Sequence, residues 1–473
     1  MTTEQELPKG WKIERLGDIA ISEKGKKPKN QSSEKTDTYC YPYVDIEAFE
    51  KGVIKSYTDG LKCVLCDEDD FLMVWDGSRS GLVGKGIRGA LGSTLVRISL
   101  PEVSNLYAYY FLLSKYQEIN TRAKGSGTPH VDPDLLWNYA FPIPPNLETQ
   151  QAIVNKIESL FDEIDEGIGR LKTAAQQIQQ YRQSLLKNAF NGELTKEWRS
   201  KHADTLPSEN ELLAQIQTTR EQHHAQQLAD WQTTVSQWEQ NGKEGKKPSK
   251  PSSLSSVNIL SKDSELPENW LLTEAESICD FITKGTTPPK NELFMKSGEV
   301  PFLKVYNLTK NGKLDFTIEP TFVSKETHNN FLNRSKVYPN DILMNIVGPP
   351  LGKVSLVPDD YPEWNINQAI VIYRSIFVHS KFLANYLLAE KTIKLMSSQA
   401  KTTAGQHNLT LEICRNLPIP VCSLAEQTQI VAILESKLTA CDQLAAELAK
   451  QLKQAELLKQ AVLKAAFSGE LRE

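Results

Sequence analysis

The chain is an internal duplication, and this limits the folds that it can adopt. The segment KNAFNGEL at 187–194 returns as KAAFSGEL at 464–471, with six identities in eight residues at an offset of 277. The segment LPKGW at 7–11 returns as LPENW at 266–270, at an offset of 259. Such a period is too long for a solenoid, whose repeats have roughly 20–50 residues. We therefore expect two copies of one unit, each a globular stretch, a Pro-rich hinge and a long helix.

Composition limits the function classes. The 473 residues allow about three domains. The net charge of −5 argues against a protein that coats itself with DNA unaided, because tight binding neutralises on the order of 6–10 phosphates with clustered Lys and Arg. A nucleic-acid role would need local basic loops or a partner that supplies charge. The chain has no apolar run of ~18 residues and no signal-peptide pattern, and its seven cysteines are scattered, so we expect a cytoplasmic protein.

The two globular stretches are predicted to be mixed α/β. Short apolar runs between Gly, Pro and Asp give strand candidates at 41–46, 71–75 and 94–99, and 106–118 has a helical pattern. The second stretch mirrors the first and places the counterpart of that helix at 381–391. The second copy is longer by 18 residues (277 − 259), so a shared framework with different loops is expected.

Two long amphipathic helices are predicted. The first should start near Asn146 and end at Asn191-Gly192, and the second should start with the capping box Ser423–Glu426 and end at Ser468-Gly469. Apolar residues recur at steps of three and four: Ile153, Ile157, Leu160, Ile164, Ile168, Leu171, Ala175, Ile178, Tyr181 and Leu185, then Ile430, Leu434, Leu438, Cys441, Leu444, Leu448, Leu452, Ala455, Leu458 and Val462. Since each stripe needs a partner, we expect the two helices to form an antiparallel coiled coil.

The predicted fold class is thus α+β: two mixed α/β domains joined by two long helices in an antiparallel coiled coil, with an internal pseudo-two-fold repeat. Between the copies, a capping box at 208–211 opens a helix over about 209–240, and a flexible tether follows that could reach either end of the coiled coil. The predicted divisions are 1–145 (first domain), 146–194 (first helix), 195–265 (linker), 266–420 (second domain) and 421–473 (second helix).

No catalytic constellation is found in the sequence. The literal G-x-G-x-x-G at 84–89 is followed by a turn into a strand, where a dinucleotide site needs a helix. The P-loop look-alike at 348–354 is one residue short and has Val354 where a hydroxyl should bind magnesium. The C-x-x-C at 63–66 has no second pair at zinc spacing, and His223-His224 lies on a polar helix. We therefore predict no catalytic residue, cofactor or metal site.

Three loops in each globular stretch carry basic and hydrogen-bonding side chains. Lys and Arg can hold phosphates, Asn and Gln can bind adenine, and Arg can bind guanine in the major groove. For any single loop, an ordinary polar connection is the alternative interpretation. The candidate DNA-binding residues are Lys24, Lys26, Lys27, Lys29, Ser78, Arg79, Lys124, Ser126, Thr128 and His130 in the first stretch, and Lys284, Thr286, Thr287, Asn345, Lys401, Thr402, Thr403, Gln406, His407 and Asn408 in the second.

With these motifs the chain resembles the specificity (S) subunit of type I restriction-modification systems along nearly its whole length. The resemblance rests on the L-P-x-x-W openings, the TTAGQ loop at 402–406, the Pro-Ile-Pro hinges that lead into LAEQ at 424–427, and the A-F-x-G-E-L helix ends. Each motif is weak alone, but their order, twice in one chain, is specific. The first copy departs from the pattern at GTPH (127–130), which replaces the Gly-Gln loop, and at ETQ (148–150), which replaces the Ala-Glu-Gln helix start.

The resemblance implies two target recognition domains, each reading one half of a bipartite double-stranded DNA target, and helices that fix the gap between the halves. It implies assembly with two methylation (M) subunits, which bring S-adenosylmethionine and adenine-N6 chemistry, and with restriction (R) subunits. The chain itself would be non-catalytic. A DNA-independent protein scaffold is the main alternative, and a stand-alone methyltransferase is disfavoured because its motifs are missing.

Overall fold

The computed structural model describes residues 7–125, 127–262, 265–348, 350–403 and 406–471. The chain divides into two compact units, and the divisions fall within the long helices. Unit 1 comprises Met1–Ala175 and Ala446–Glu473, and unit 2 comprises Gln176–Ala445. Each unit therefore holds one globular stretch, the start of the helix that follows it, and the end of the other long helix.

Unit 1 begins with a strand that pairs with the hinge. Its elements are β1 (Lys12–Arg15), α1 (Leu16–Ile19), β2 (Ile21–Lys24), β3 (Gln31–Ser32), β4 (Tyr41–Val44), α2 (Ile46–Lys51), β5 (Tyr57–Thr58), β6 (Leu65–Cys66), β7 (Phe71–Val74), β8 (Val83–Lys85), β9 (Gly89–Leu91), β10 (Leu95–Ser99), α3 (Asn105–Thr121), α4 (Pro133–Trp137), β11 (Ala140–Ile143) and the start of α5 (Leu147–Phe190). The sheets have the orders β1-β11, β2-β10-β7-β8 and β3-β5-β4-β9-β6.

Unit 2 repeats this plan after the linker. Its elements are α6 (Lys196–Lys201), α7 (Glu209–Gln240), β12 (Leu271–Glu274), α8 (Ala275–Ile278), β13 (Cys279–Lys284), β14 (Phe294–Met295), β15 (Val300–Leu303), β16 (Thr321–Val323), α9 (Lys325–Asn329), β17 (Lys336–Val337), β18 (Ile342–Asn345), β19 (Val354–Leu356), β20 (Trp364–Ile366), β21 (Ile370–Ser375), α10 (Ser380–Leu388), α11 (Glu390–Gln399), β22 (Lys401–Thr403), β23 (Gln406–Asn408), α12 (Leu411–Arg415), β24 (Pro418–Val421) and the start of α13 (Leu424–Phe467).

The sheets of unit 2 have the same connectivity as those of unit 1. Their orders are β12-β24, β13-β21-β18-β19 and β14-β16-β15-β20-β17, with β22-β23 as an added hairpin. The five-stranded sheets both contain one parallel pair, β4 with β9 and β15 with β20. The predicted duplication of a mixed α/β domain is therefore confirmed at the level of strand order. One difference from expectation is that the predicted helix at 381–391 is two helices, α10 and α11, which meet at Ala389.

The strand pairs explain why openings and hinges are both duplicated. In unit 1, β1 after the first opening pairs antiparallel with hinge strand β11, and in unit 2, β12 pairs with β24 in the same way. A buried glutamine after each hinge fixes the next helix. The amide oxygen of Gln150 accepts the backbone N–H of Ser104 at 2.8 Å, and that of Gln427 accepts the backbone N–H of His379 at 2.8 Å. These equivalent bonds tie the first turn of α5 to the start of α3, and the first turn of α13 to the start of α10.

Within each unit the two long helices run antiparallel. In unit 1, Ile153 and Ile157 near the start of α5 pack in one buried cluster with Leu463 near the end of α13. In unit 2, Leu185 near the end of α5 shares a buried cluster with Ile430 near the start of α13. The antiparallel pairing predicted from the two stripes is confirmed in each unit.

An aromatic residue anchors each helix end and accounts for the repeated A-F-x-G-E-L motif. Phe467 makes edge-on contacts with Tyr107 and Phe111 of α3, at centroid distances of 5.1 and 5.3 Å. Phe190 makes the same contacts with Phe382 and Tyr386 of α10, both at 5.1 Å. Edge-to-face pairs of this kind stabilise a core beyond the area that they bury. Each helix end is therefore held by the domain of the other repeat.

The assignment of three residues to the apolar stripes is wrong. Tyr181, Leu444 and Leu458 are 48%, 57% and 52% exposed. The seam, which is the row of positions where the two helices face each other, passes through the residue after each of them: Arg182, Ala445 and Lys459. At these points the next seam position lies four residues along the helix, whereas the predicted stripe takes a step of three. A prediction that accepts only large apolar residues therefore places the stripe one residue too early where the true seam position is charged or small.

The two charged seam residues form equivalent ion pairs between the helices. In unit 2, Arg182 of α5 contacts the Asp442 carboxylate at 2.6 Å. In unit 1, Lys459 of α13 contacts the Asp165 carboxylate at 2.5 Å. Both partners are related by the repeat offset of 277 (182 to 459, 165 to 442). The same cross-helix pair is thus present twice, once in each unit.

The helix of the linker, α7, packs on the second globular stretch. As predicted, Ser208 and Glu211 form a capping box at the start of α7. Arg220 is buried, and its guanidinium donates to the carbonyl oxygens of Glu276, Ser277 and Ser255 at 3.0, 2.8 and 2.9 Å. The flexible tether stays a prediction, and the contacts of Arg220 show that α7 packs on the second globular stretch.

Candidate nucleic-acid interfaces

In unit 1 the three candidate loops converge at one edge of the four-stranded sheet. β2 and β7 both pair with β10, and Lys24 and Val74 lie opposite its neighbouring residues Val96 and Leu95. The loops that follow are then cross-linked. The Lys24 ammonium contacts the Asp76 carboxylate at 2.7 Å, and the N–H of Gly77 donates to the carbonyl of Pro129 at 2.7 Å. Three loops that are distant in sequence therefore form one surface.

Unit 2 builds the equivalent surface by the same sheet order. β13 and β18 both pair with β21, where Lys284 lies opposite Val371 and Asn345 opposite Ile370. The loop before the hinge joins them through a bridge between Val347 and Asn408. In unit 1 the matching bridge joins Asp76 and His130.

A glycine in each unit pins the first loop to this sheet edge. A Cβ atom on Gly25 would lie 2.2 Å from the carbonyl oxygen of Gly92, and one on Gly285 would lie 2.2 Å from that of Ile366. No side chain fits at such distances, so the backbone approach requires glycine. The sequence signal of this close approach is the repeated Lys-Gly dipeptide, Lys24-Gly25 and Lys284-Gly285.

Most of the candidate side chains that the structure describes face solvent. The exposed ones are Lys24, Lys26, Lys27, Lys29, Ser78, Arg79, Lys124, Thr128, Lys284 and Thr287, and the half-buried ones are His130, Thr286 and Asn408. Ser126 lies outside the described residues. For Lys401, Thr402, Thr403, Gln406 and His407 only the backbone is described, as the two strands of the hairpin β22-β23 with Thr402 opposite His407. These positions stay predictions.

Asn345 departs from the expected role. It is 1% exposed, and its amide holds the loop that follows β18: the Nδ2 group donates to the carbonyl of Pro350 at 3.1 Å, and Oδ1 accepts the N–H of Lys353 at 2.9 Å. A buried amide with these partners is not available to read a base edge. Its burial favours a role in shaping the central loop over a direct DNA contact.

Several candidate cations of unit 1 already have acidic partners. Besides the Lys24–Asp76 pair, Arg79 contacts Glu50 at 2.8 Å, and Lys124 contacts Asp132 at 2.8 Å. The hydrogen bond from the Lys124 ammonium lowers the pKa of the Asp132 carboxyl group. Such pairs orient the cations, and a phosphate oxygen could replace the carboxylate as their partner. The sequence contains these acidic residues, but it does not show that their carboxylates contact the basic side chains of the loops.

The two segments that resemble nucleotide-binding motifs, 84–89 and 348–354, do not lie between a strand and a helix as such motifs require. Gly84 lies in β8 and Gly89 in β9, so the glycine run joins two strands instead of opening a helix. The segment at 348–354 leads into strand β19. Within the part of the chain that the structure describes, no group of three His, Cys, Asp or Glu residues could hold a metal ion. Over the same residues, no helix is long and apolar enough to cross a membrane.

The comparisons with known proteins agree with this architecture. The family described as Methylase_S, type I restriction modification DNA specificity domain, matches residues 8–172 and 267–454. The chain is 33% identical over 187 residues to the type I restriction enzyme MjaVIII specificity subunit of Methanocaldococcus jannaschii, covering 39% of this chain and 43% of that subunit. It is 22% identical over 469 residues to the EcoDI specificity subunit of Escherichia coli, covering 98% of this chain and 89% of that one.

A solved structure shows the same fold. A chain from a study of complex assembly and conformational transition of the type I R-M system superposes with a TM-score of 0.63 at 18% identity, covering 98% of this chain and all of the other. The two family matches together span more than half of the sequence and fall on the two copies of the repeat. The chain therefore belongs to the type I restriction-modification DNA specificity family, whose members are non-catalytic DNA-recognition subunits.

Proposed function

We propose that this chain is the sequence-specific DNA-recognition subunit of a type I restriction-modification complex, in which each globular domain reads one half of a bipartite, gapped target. The domains are proposed as 1–145 and 266–420, with helix segments 146–194 and 421–473 and the linker 195–265. The carrying observation is the paired convergence of loops: the same sheet edge in both units gathers three polar loops, joined by the bridges Asp76–His130 and Val347–Asn408. A protein with two similar but differently composed surfaces suits a target with two different halves.

The direct test is to map N6-methyladenine across the host genome by long-read sequencing, with and without this gene. We expect the loss of one bipartite, gapped motif when the gene is deleted. Replacing residues 20–135 with another recognition domain should change one half-site and leave the other unchanged. A methylome that does not respond to deletion or exchange would contradict the proposal and favour a DNA-independent scaffold.

We further propose that α5 and α13 set the gap between the half-sites and dock two methylation subunits. Removing 170–173 from α5 and the equivalent 447–450 from α13 shortens both helices by four residues, which is roughly 6 Å at 1.5 Å per residue. The matched deletion keeps the pairing of the two helices, whereas a deletion in one helix does not. We expect the preferred gap to shorten by about two base pairs, since the rise is 3.4 Å per pair. An unchanged gap would contradict the role of the helices as a spacer.

The proposed assembly supplies the chemistry that this chain does not. Methylation subunits would bring S-adenosylmethionine and adenine-N6 transfer, and restriction subunits would bring translocation and cleavage. Such an assembly also resolves the charge problem, because a net charge of −5 leaves phosphate neutralisation to local loops and to partners. We propose a cytoplasmic location because the DNA target lies there. Purified chain that bound S-adenosylmethionine alone would contradict this division of roles.

A further inference from the structure

The linker folds back on itself after α7. After α7 the chain turns at Gly242 and Lys243, which have φ values of +77° and +64°, and returns along the helix. Two tryptophans hold the return: the Trp238 indole N–H donates to the carbonyl of Gly245 at 3.4 Å, and that of Trp231 to the carbonyl of Pro248 at 3.1 Å. The segment 241–250, called the tip below, therefore lies back along α7.

The contacts of α7 show the direction in which the tip points. Lys262 ties Glu209, at the start of the helix, to the backbone of Trp270. About three turns beyond Glu209, Arg220 binds the carbonyls of Glu276 and Ser277. Two turns further on, the Gln227 amide donates to the Asp280 carboxylate at 2.6 Å. The helix and the chain from β12 to β13 thus advance in the same direction.

Strand β13 continues beyond Asp280, and helix α7 continues beyond Gln227, which contacts Asp280. Along β13, Lys284 lies four residues further on, which is about 13 Å in a strand. Along α7, Gln240 lies thirteen residues beyond Gln227, which is about 20 Å in a helix. Because α7 is one continuous helix, its tip extends on the side of unit 2 where the candidate recognition loops begin.

The tip is strongly basic. Lys243, Lys246, Lys247 and Lys250 lie within eight residues, all four are exposed, and Glu244 is the one acid among them. No ion pair engages any of these four lysines within the described part of the chain, in contrast to Lys24, Arg79 and Lys124 of unit 1. The ammonium of Lys250 lies 5.9 Å from the centre of the Trp231 ring, which holds it beside the last turns of α7.

Unit 2 also has fewer basic residues in its first candidate loop. The first copy reads Lys24-Gly-Lys-Lys-Pro, and the second reads Lys284-Gly-Thr-Thr-Pro, so two lysines of the first are threonines in the second. Phosphate contacts from Lys and Arg provide most of the sequence-independent affinity for DNA. A basic tip on unit 2 would supply the charge that its loop lacks.

We propose that the tip lysines bind the DNA phosphate backbone next to the half-site read by the second domain. This rests on the proposed function, because it assumes that unit 2 faces DNA. The tip would position the duplex without reading bases, since lysine recognises phosphate as a point charge. An acidic protein surface is the competing ligand.

The test uses the full chain assembled with its methylation subunits and a duplex that carries the mapped bipartite target. One variant replaces Lys243, Lys246, Lys247 and Lys250 with Gln, and the matched control replaces the same four with Arg. The Gln variant should bind target and scrambled duplex more weakly by the same factor, about tenfold or more, and the slope of log affinity against log salt should fall by about 2–4, at ~0.9 per lost contact. The Arg control should keep the slope.

A hydroxyl-radical footprint locates the contact. We expect the Gln variant to lose backbone protection beside the second half-site and to keep it at the first. An unchanged salt slope, or loss of protection at the first half-site, would overturn the proposal. Failure of the Gln variant to retain its methylation subunits would overturn it in favour of a protein ligand. If the wild-type complex itself did not distinguish target from scrambled duplex, the proposed function would fail instead.

Discussion

A buried carboxylate at the start of α13 offers a sharp test of how unit 2 is held together. Glu426 is fully buried, and its carboxylate accepts hydrogen bonds from Arg199 at 2.5 Å, from the Thr195 hydroxyl at 2.7 Å and from the Trp270 indole at 3.0 Å. It thereby joins the chain after α5, the opening of the second domain and the second long helix. The equivalent position in the first copy is Thr149, so unit 1 lacks this joint.

The structure predicts unequal costs for removing the two charged partners. Arg199→Gln leaves a buried carboxylate without its cation, which costs roughly 3–5 kcal/mol. Glu426→Gln keeps the shape, and the Arg199 side chain, which is 17% exposed, retains the carbonyl of Gly192 as an acceptor. This change should cost about 1.5–3 kcal/mol, the typical value for a hydrogen bond to a charged group. The double variant should cost less than the sum, because neither charge is then left alone.

Hydrogen exchange of the full chain, read by mass spectrometry, measures these costs locally. Peptides covering 193–200 and 424–432 should exchange faster in both single variants, and peptides covering 147–157 of unit 1 should not change. The control is Glu435→Gln on the same helix. Glu435 pairs with Lys381, both side chains are half-exposed, and loss of this ion pair should have little effect on stability. Strictly additive effects of the two substitutions, or equal effects in both units, would refute the reasoning.

Three further outcomes are expected. Gly25→Ala should destabilise unit 1 by about 1–3 kcal/mol and weaken DNA binding, because its Cβ would meet a carbonyl, whereas Gly167→Ala in α5, with open space around its Cβ, should reduce neither in melting and binding assays. Burial lowers the pKa of His328, so the imidazole takes up a proton more readily in the unfolded chain, and its contribution to stability is lost as pH falls below about 6.5. The difference in melting temperature between wild type and His328→Gln should therefore shrink from pH 7 to pH 5. A constant difference would contradict this. Iodoacetamide at pH 8 should modify exposed Cys40 but not Cys66, whose pKa burial raises to about 11, and peptide masses report both.

The duplicated framework could be predicted from sequence because it rests on local patterns. Periodicity located both long helices to within a residue or two, and the capping box at Ser208 formed as expected. The second capping box formed only in part: the Ser423 hydroxyl accepts the N–H of Glu426, but the Glu426 carboxylate turns to Arg199 instead of back to the cap. Residues from a distant segment competed for this carboxylate, and a local motif contains no information about such a competitor.

Composition predicts candidate surfaces, but it does not give the role of each side chain. Asn345 belongs to one of the predicted polar loops, yet its amide group is hydrogen-bonded to the backbone of Pro350 and Lys353. Composition also could not show that Lys24 and Arg79 have carboxylate partners, because Asp76 and Glu50 lie in other segments that meet them only in the folded domain. Which residues face a ligand depends on contacts that are non-local in sequence.

The misassigned seam positions show why polar residues deserve equal weight in a helix pair. Arg182 and Lys459 occupy seam positions that a hydrophobic criterion rejects, and each contacts an aspartate on the facing helix, Asp442 and Asp165. Apolar contacts between helices tolerate sliding by a turn, since one leucine resembles the next, whereas an ion pair at one position is satisfied in one register only. The pair is present at equivalent positions in both units, so both ends of the helix pair have the same register. If the helices set the gap between half-sites, these four residues fix it more directly than the leucines around them.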